Sequence, residues 1–410
     1  MKYLLLLGRG VEGCGVTKFA IEWEKWFIRN GYDYDILAVD DKKWSRKDSH
    51  SFQKLTKVRL KKDADFETAK TVINACDIVI INSLPPIKIE QIIADRFIDL
   101  LNLSKGKSAL IQHDHNARSI KRNAALLESC EVSSVIFSHS TTDSDFVRYL
   151  TFEKIIGNSE SISLFGNTTE DKPLINFQPG MYLEDVRKDY WKPIEEQDSL
   201  HHKWIGRTAP FKGYDLMFEF SSHLKEAGFL TTMEGLESSP AIINVKQKYD
   251  FHNHLHTKID EVDISNYYGG VPTLFSFYKH AELLERLSKC AFGYQLSRLD
   301  PRFIEHSIEY THMEVVCAGT IPVFRKQYFD HCVHTKTGNP ISSDKDTGTI
   351  FICADGSNFI ESIEKMKELS ADSVMRNEWR EMAYEYYNSH QSADKTFSKL
   401  IAYINHYIKD

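Results

Sequence analysis

GRTAPFKG, residues 206–213, and EYTHMEVVCAGTIPVF, residues 309–324, decide how the chain is organised. In the first, Arg207 and Lys212 stand in a loop bounded by Gly206 and Gly213, directly after a strand-like run that ends at Ile205. Arg presents a planar fork of donors and Lys a mobile point charge, a pair suited to a diphosphate whose negative charge grows as it departs. In the second, Glu314 opens a helical turn that ends in Ala318-Gly319-Thr320-Ile321-Pro322. A carboxylate held beside such a helix-to-strand turn can accept both hydroxyls of a ribose. The alternatives are two solvated surface charges for Arg207 and Lys212 and an ordinary helix-face acid for Glu314.

With 410 residues the chain is too long for one core and implies two or three domains. Its 42% apolar and 27% charged residues are those of an ordinary globular protein. The apolar run at residues 3–7 stops at Gly8, too short for a signal-peptide core or a membrane span, and reads as a buried first strand. The 7 cysteines are scattered without a C-x-x-C pair, which argues against zinc or redox chemistry and for a reducing compartment. A net charge of -7 disfavours a dedicated nucleic-acid binder, but the charge is uneven. Residues 42–62 include Lys42, Lys43, Arg46 and Lys47 and a single acid, Asp48, so this stretch is either a solvated loop or a contact for a polyanion such as DNA.

Strand-like runs at 2–7, 34–39, 77–82, 108–112 and 134–138 alternate with helical patterns at 17–30, 65–75, 88–101 and 117–130, which predicts a doubly wound parallel sheet. Ligands of such sheets sit beyond the carboxyl ends of the strands. The first loop there, GRGVEGCGVTK at 8–18, carries Gly8, Gly10 and Gly13 in G-x-G-x-x-G spacing, with Gly15 following and Asp40 closing the second strand. That is formally a dinucleotide fingerprint and keeps an NAD-dependent oxidoreductase open, although any ligand that approaches a helix N-terminus uses such a loop.

After the run at 108–112 comes His113-Asp114-His115, then Arg118, Lys121 and Arg122 on one helical face. Two imidazoles around a carboxylate can orient and deprotonate an acceptor hydroxyl while the basic face grips phosphates. The plainer alternative is a capping Asp flanked by hydrogen-bonded histidines. No second cluster has ligand spacing, so no metal is expected. His252, His254 and His256 read as a local surface feature, and Asp143-Ser144-Asp145 as a cap.

Asn176-Phe177-Gln178-Pro179-Gly180 reads as a break between halves, after which the pattern restarts with a strand at 203–205, the basic loop, a helix at 214–225 and a strand at 231–233. Glu234 begins the next loop, and the run at 292–297, with Tyr294 and Gln295, ends where a nucleobase could be framed. Residues 359–369, 372–388 and 393–409 show helical spacing.

GRGVEGCGVTK, INSLPP, QHDH, VIFSHS, NFQP, WIGRTAPFKG, MEGLESSPA, FGYQLS and EYTHMEVVCAGTIPVF, in this order over nearly the whole chain, resemble the DNA alpha-glucosyltransferases of T-even bacteriophages. The resemblance implies a GT-B fold, two Rossmann-like α/β domains facing a central cleft: residues 1–180 on the acceptor (DNA) side, 181–390 on the nucleotide-sugar side, and a helix at 391–410 crossing back. It implies retaining transfer of glucose from UDP-glucose to 5-hydroxymethylcytosine in DNA, with base flipping, by a monomer in the cytoplasm of the infected host, with no tightly bound cofactor. Arg207 and Lys212 would then bind the UDP diphosphate and Glu314 the ribose, with Gly13, Gly15, Glu234, Tyr294 and Gln295 on the donor side. His113, Asp114 and His115 would lie at the acceptor end, and Arg118, Lys121, Arg122 and the 42–47 cluster would hold the DNA backbone. Wider relatives often carry a second acid eight residues before the ribose-binding one; His306 occupies that place here, and Glu309, five before, is the sugar-side candidate. Another UDP-sugar such as UDP-arabinose is the near alternative, and a non-catalytic DNA-binding module has no use for the second phosphate loop.

Overall fold

The computed structural model describes residues 1–8, 15–39, 52–85, 89–113, 135–139, 174–205, 220, 223–235, 261–262, 273–276, 280–296, 309–325, 351–354 and 359–408. The chain forms two compact units: one built on Met1–Met181 and completed by Ala393–Asp410, the other comprising Tyr182–Asp300 and Glu309–Ser392.

In the first unit the described strands are β1 (Lys2–Leu7), β2 (Asp33–Val39), β3 (Leu55–Val58), β4 (Ile78–Ser83), β5 (Ser108–Gln112), β6 (Val135–His139) and β7 (Leu174–Phe177). They pair in parallel in the order β3-β2-β1-β4-β5-β6-β7. Helices α1 (Gly15–Arg29), α2 (Asp63–Asn74) and α3 (Gln91–Leu103) follow three of these strands, giving the doubly wound layout the alternation predicts.

Covered on both faces, β1 is apolar from Tyr3 to Leu7. Leu4 and Leu6 enter a core with Ala69 and Ile73 of α2 and Phe97 and Leu100 of α3. On the other face, Tyr3 stacks near Phe27 of α1 at 5.3 Å between ring centroids and donates to Asn405 Oδ1 at 3.0 Å. Asn405 belongs to the C-terminal helix (Ala393–Ile408), whose Phe397 lies 5.2 Å from Phe19 and 5.0 Å from Trp23 of α1. Ala393, Phe397, Leu400, Ile401 and Ile404 recur at helical spacing and are all buried, which is why this last segment docks on the first unit.

Two strands of this first unit were not legible in the sequence. The break read at 176–180 starts too early: Asn176 and Phe177 pair with β6 as the end of β7, so the break begins only at Gln178. Within the basic stretch 42–62 the loop alternative fails for residues 55–58, which form β3 at the sheet edge with Val58 buried and Lys57 exposed. A charged edge discourages pairing with a further strand. Its entry is anchored by Glu24 of α1, a buried carboxylate that accepts from the backbone N–H groups of Gln53 (2.9 Å) and Lys54 (3.1 Å) and from the Tyr34 hydroxyl (3.2 Å).

The second unit contains α4 (Leu183–Tyr190), β8 (Asp198–Ile205), β9 (Leu230–Gly235), β10 (Glu261–Val262), β11 (Thr273–Ser276), α5 (His280–Leu287), β12 (Cys290–Gln295), α6 (Tyr310–Cys317), β13 (Ile321–Phe324), β14 (Ile352–Cys353), α7 (Phe359–Ala371) and α8 (Ser373–His390). The strand order is β10-β11-β9-β8-β12-β13-β14, parallel except for the antiparallel β10. Trp204, Phe292, Tyr294, Phe359, Met366 and Leu369 form the core between the sheet and α7. α8 begins at the Asp372 cap, whose Oδ1 accepts from the backbone N–H of Val374 (2.9 Å) and Met375 (3.0 Å).

Candidate active site

In each sheet the strand order reverses beside the first strand, between β1 and β4 in one unit and between β8 and β12 in the other. Open α/β sheets bind ligands beyond the carboxyl ends of the strands at such switch points. Among the described residues, Tyr294 and Gln295 lie at the carboxyl end of β12, Glu234 at that of β9 and His113 just past β5.

At the β1/β4 switch point the Gly8 N–H donates to Ser83 O at 2.8 Å. A Cβ on Gly8 would meet that carbonyl at 2.5 Å, so only glycine allows the two strand ends to approach. Gly15 is the first residue of α1. Asn82, fully buried at the end of β4, donates from Nδ2 to Val16 O of α1 at 3.1 Å, and its Oδ1 lies 3.2 Å from His113 Nε2. The His113 ring also meets Phe19 edge-on at 5.1 Å. His113 is thus held just past β5 against the start of α1. Asp114, His115, Gly10, Gly13, Arg118, Lys121, Arg122, Lys42, Lys43, Arg46 and Lys47 lie outside the described residues, as do His252, His254, His256, Asp143 and Asp145.

At the β8/β12 switch point, β8 ends at Ile205, the residue before the 206–213 loop; Arg207 and Lys212 lie outside the described residues. β12 ends at Gln295, buried, whose Nε2 donates to Glu309 Oε2 at 3.1 Å and to Thr311 Oγ1 at 3.2 Å. Glu309 is the N-cap of α6, and its backbone N–H donates to His312 Nδ1 at 3.0 Å. Glu314 sits in the middle of α6, which starts at Tyr310 rather than at Glu314 itself, and is 5% exposed. Its Oε1 lies 2.5 Å from His280 Nε2 at the start of α5. Glu234 is the penultimate residue of β9, not a loop residue, and pairs in register with Ile205.

Two glycines set the position of α6. A Cβ on Gly293 of β12 would lie 2.6 Å from Val315 Cγ1 and 2.8 Å from Thr320 Oγ1, so α6 packs on the strand only because that side chain is missing. Beyond the helix, Gly319 adopts φ +83° over the Trp191 ring. The N–H groups of Gly319 and Thr320 donate to Val316 O (3.1 Å) and Val315 O (3.4 Å), the two bonds of a Schellman motif. The AGTIP turn is therefore a helix stop that leads directly into β13.

Strand parity separates two residues the sequence had grouped. Gln295 faces α6, whereas Tyr294 faces the core, where its hydroxyl lies 2.5 Å from His202 Nδ1 and 3.6 Å from Met366 Sδ. Burial pushes the Tyr294 hydroxyl well above its ordinary range and the His202 imidazole well below its own. The Tyr294 side chain is not brought together with Gln295, Glu309 and Glu314. His280 and Lys203 carry no motif and were missed. Lys203, paired in register with Gly293 and buried, donates from Nζ to Thr232 Oγ1 at 3.0 Å on the face that carries Gln295. A lysine directly before the apolar pair Trp204-Ile205 that ends β8 was its only sequence signal.

The family model described as DNA alpha-glucosyltransferase matches residues 14–374. The chain is 37% identical over 407 residues to the DNA alpha-glucosyltransferase of Enterobacteria phage T4, covering 97% of this chain and 98% of that one. Among solved structures it is similar to an alpha-glucosyltransferase in complex with UDP-glucose and DNA containing an abasic site (TM-score 0.80, 34% identity, 99% of both chains). It is equally similar to an alpha-glucosyltransferase in complex with UDP and a 13-mer DNA containing a HMU base (TM-score 0.80, 34% identity, 99% of both chains).

Proposed function

The chain belongs to the DNA alpha-glucosyltransferase family, and from that premise we propose that it is a retaining GT-B enzyme moving glucose from UDP-glucose to 5-hydroxymethylcytosine in double-stranded DNA. The observation that carries the donor half is the β8/β12 switch point. There β8 ends at Ile205, directly before residues 206–213 in the sequence, and Gln295 at the end of β12 donates to Glu309 at the cap of α6, the helix that carries Glu314. The acceptor half rests on His113, held by Asn82 past β5.

In this reading Arg207 and Lys212 grip the diphosphate, Glu314 takes the ribose hydroxyls, and Glu309 and Gln295 face the sugar. Glu234, Gly13 and Gly15 complete the donor side. The C1–O bond to the β-phosphate breaks as a C1–O bond to the hydroxymethyl oxygen forms on the same face, and the acceptor proton passes to the departing diphosphate. Lys212 and Arg207 stabilise the charge that accumulates on the leaving group. Asp114, flanked by His113 and His115, orients the acceptor hydroxyl.

The target nucleotide is extruded from the duplex to reach these groups. Arg118, Lys121, Arg122, Lys42, Lys43, Arg46 and Lys47 hold the phosphate backbone, so affinity falls with salt. No tightly bound cofactor is required, and the enzyme acts as a monomer in the cytoplasm of the infected bacterium.

Nucleoside mass analysis of hydroxymethylcytosine DNA, incubated in parallel with UDP-glucose, UDP-arabinose, UDP-galactose and NAD, tests this reading. A hexose mass with UDP-glucose alone is the expected result. A pentose mass from UDP-arabinose would keep the fold and replace the donor.

A further inference from the structure

We propose that His280 is a positioning residue for the Glu314 carboxylate and thereby sets the preference for a ribonucleotide over a deoxyribonucleotide donor; the inference rests on the reading of Glu314 as the ribose acceptor. Glu314 is buried in the middle of α6, where a carboxylate needs hydrogen-bonded partners. His280 Nε2 donates to its Oε1 at 2.5 Å, joining two residues 34 positions apart. The donor comes from a stiff support. Leu283, Leu284 and Leu287 of α5 are buried, and the helix runs straight into β12. At the far ends of α5 and α6, Gln197 Nε2 donates to Ser288 O (3.1 Å) and to Gly319 O (2.8 Å). The two helices are therefore tied at both levels, by Gln197 below and by the His280–Glu314 pair above.

A carboxylate has about four lone-pair sites. The imidazole takes one of them on Oε1 and so helps fix the plane in which the carboxylate meets the ribose hydroxyls. A donor that lacks one hydroxyl leaves a buried, oriented carboxylate short of a partner, and sites built around such a bond discriminate strongly. Without His280 the carboxylate loses this restraint on its orientation, and the penalty for the missing hydroxyl shrinks.

The test compares UDP-glucose with its 2′-deoxyuridine analogue in the wild type, His280→Ala, His280→Gln, Glu314→Gln and the double variant His280→Ala/Glu314→Gln. The wild type is expected to prefer the ribose form by about 100-fold in kcat/KM, the worth of one hydrogen bond to a charged group, and His280→Ala by about tenfold or less. His280→Ala should raise KM for UDP-glucose about tenfold while DNA affinity stays unchanged, and His280→Gln, which keeps an N–H donor, should recover most of both effects. In the Glu314→Gln background, His280→Ala should add nothing further. The ribose preference is a ratio within each protein and is insensitive to the fraction that folds. Full ribose preference in His280→Ala, with preference lost in Glu314→Gln, would overturn the role of His280 alone. Full preference in Glu314→Gln would overturn the reading of Glu314 itself.

Discussion

Gln295 Nε2 donates to Glu309 Oε2 at 3.1 Å, so the carboxyl end of β12 directly holds the cap of α6. The bond joins a buried amide to a carboxylate that the proposed function places beside the sugar. Replacing Gln295 with Ala should lower kcat/KM for UDP-glucose about tenfold, the equivalent of one charge-assisted hydrogen bond. Gln295→Glu should do worse, because a second carboxylate there repels the first. Steady-state kinetics in the donor decide it, and wild-type kcat/KM in Gln295→Ala would remove this bond from the site.

Asn82 links two things at once, the start of α1 through Val16 O and the His113 ring. Asn82→Ala is expected to reduce kcat on modified DNA about tenfold, because His113 loses one of its orienting contacts, and to raise KM for UDP-glucose by less, through the lost Val16 anchor beside Gly15. Kinetics with each substrate varied in turn separate the two. An effect confined to the donor KM would place His113 elsewhere in the chemistry.

Glycines that look alike in the sequence should respond differently to a methyl group. At Gly293 the new Cβ would press on Val315 and Thr320 within a packed core, and such overpacking destabilises by about 1–3 kcal/mol. Gly31, at φ +69° with nothing within 4 Å, meets only the backbone penalty of about 1–2 kcal/mol. Gly293→Ala should also raise KM for UDP-glucose by displacing α6, and Gly31→Ala should not. Denaturant melts with donor kinetics on the same samples check both statements.

Acid should weaken the second unit through two neighbouring histidines. Burial, reinforced by the Lys203 charge, pushes His201 down to about 4 from an ordinary 6.5, and burial holds His202 well below that ordinary value. Between 6.5 and about 4 the unfolded chain binds protons that the folded chain does not, so stability present above 6.5 is lost progressively as pH falls through this window. The urea midpoint should be level above about pH 7 and decline below it, with a shallower decline in His201→Asn. A midpoint that rises on acidification would contradict this assignment.

Much of the fold was legible because parallel strands buried on both faces read as apolar runs: β1, β2, β4, β5 and β12 lie within one or two residues of their expected positions. β3 was hidden because an edge strand carries lysines, and β7 because Phe177 stands two residues before a proline break. The carboxylates of α6 could be picked out from the helix-stop turn that follows them. Their partners could not. His280 reaches Glu314 across 34 residues, and whether Tyr294 or Gln295 faces α6 is settled by strand parity, which a six-residue strand with apolar residues on both faces does not reveal.

The proposed reaction transfers glucose to the hydroxymethyl group with retention at the anomeric carbon. It is tested most directly by incubating the protein with UDP-glucose and hydroxymethylcytosine DNA, digesting the product to nucleosides and determining the configuration of the new linkage by proton NMR. An α-linked glucosyl hydroxymethylcytosine, absent when the DNA carries plain cytosine, is the predicted result. A β-linked product, or no transfer from UDP-glucose to hydroxymethylcytosine, would contradict it.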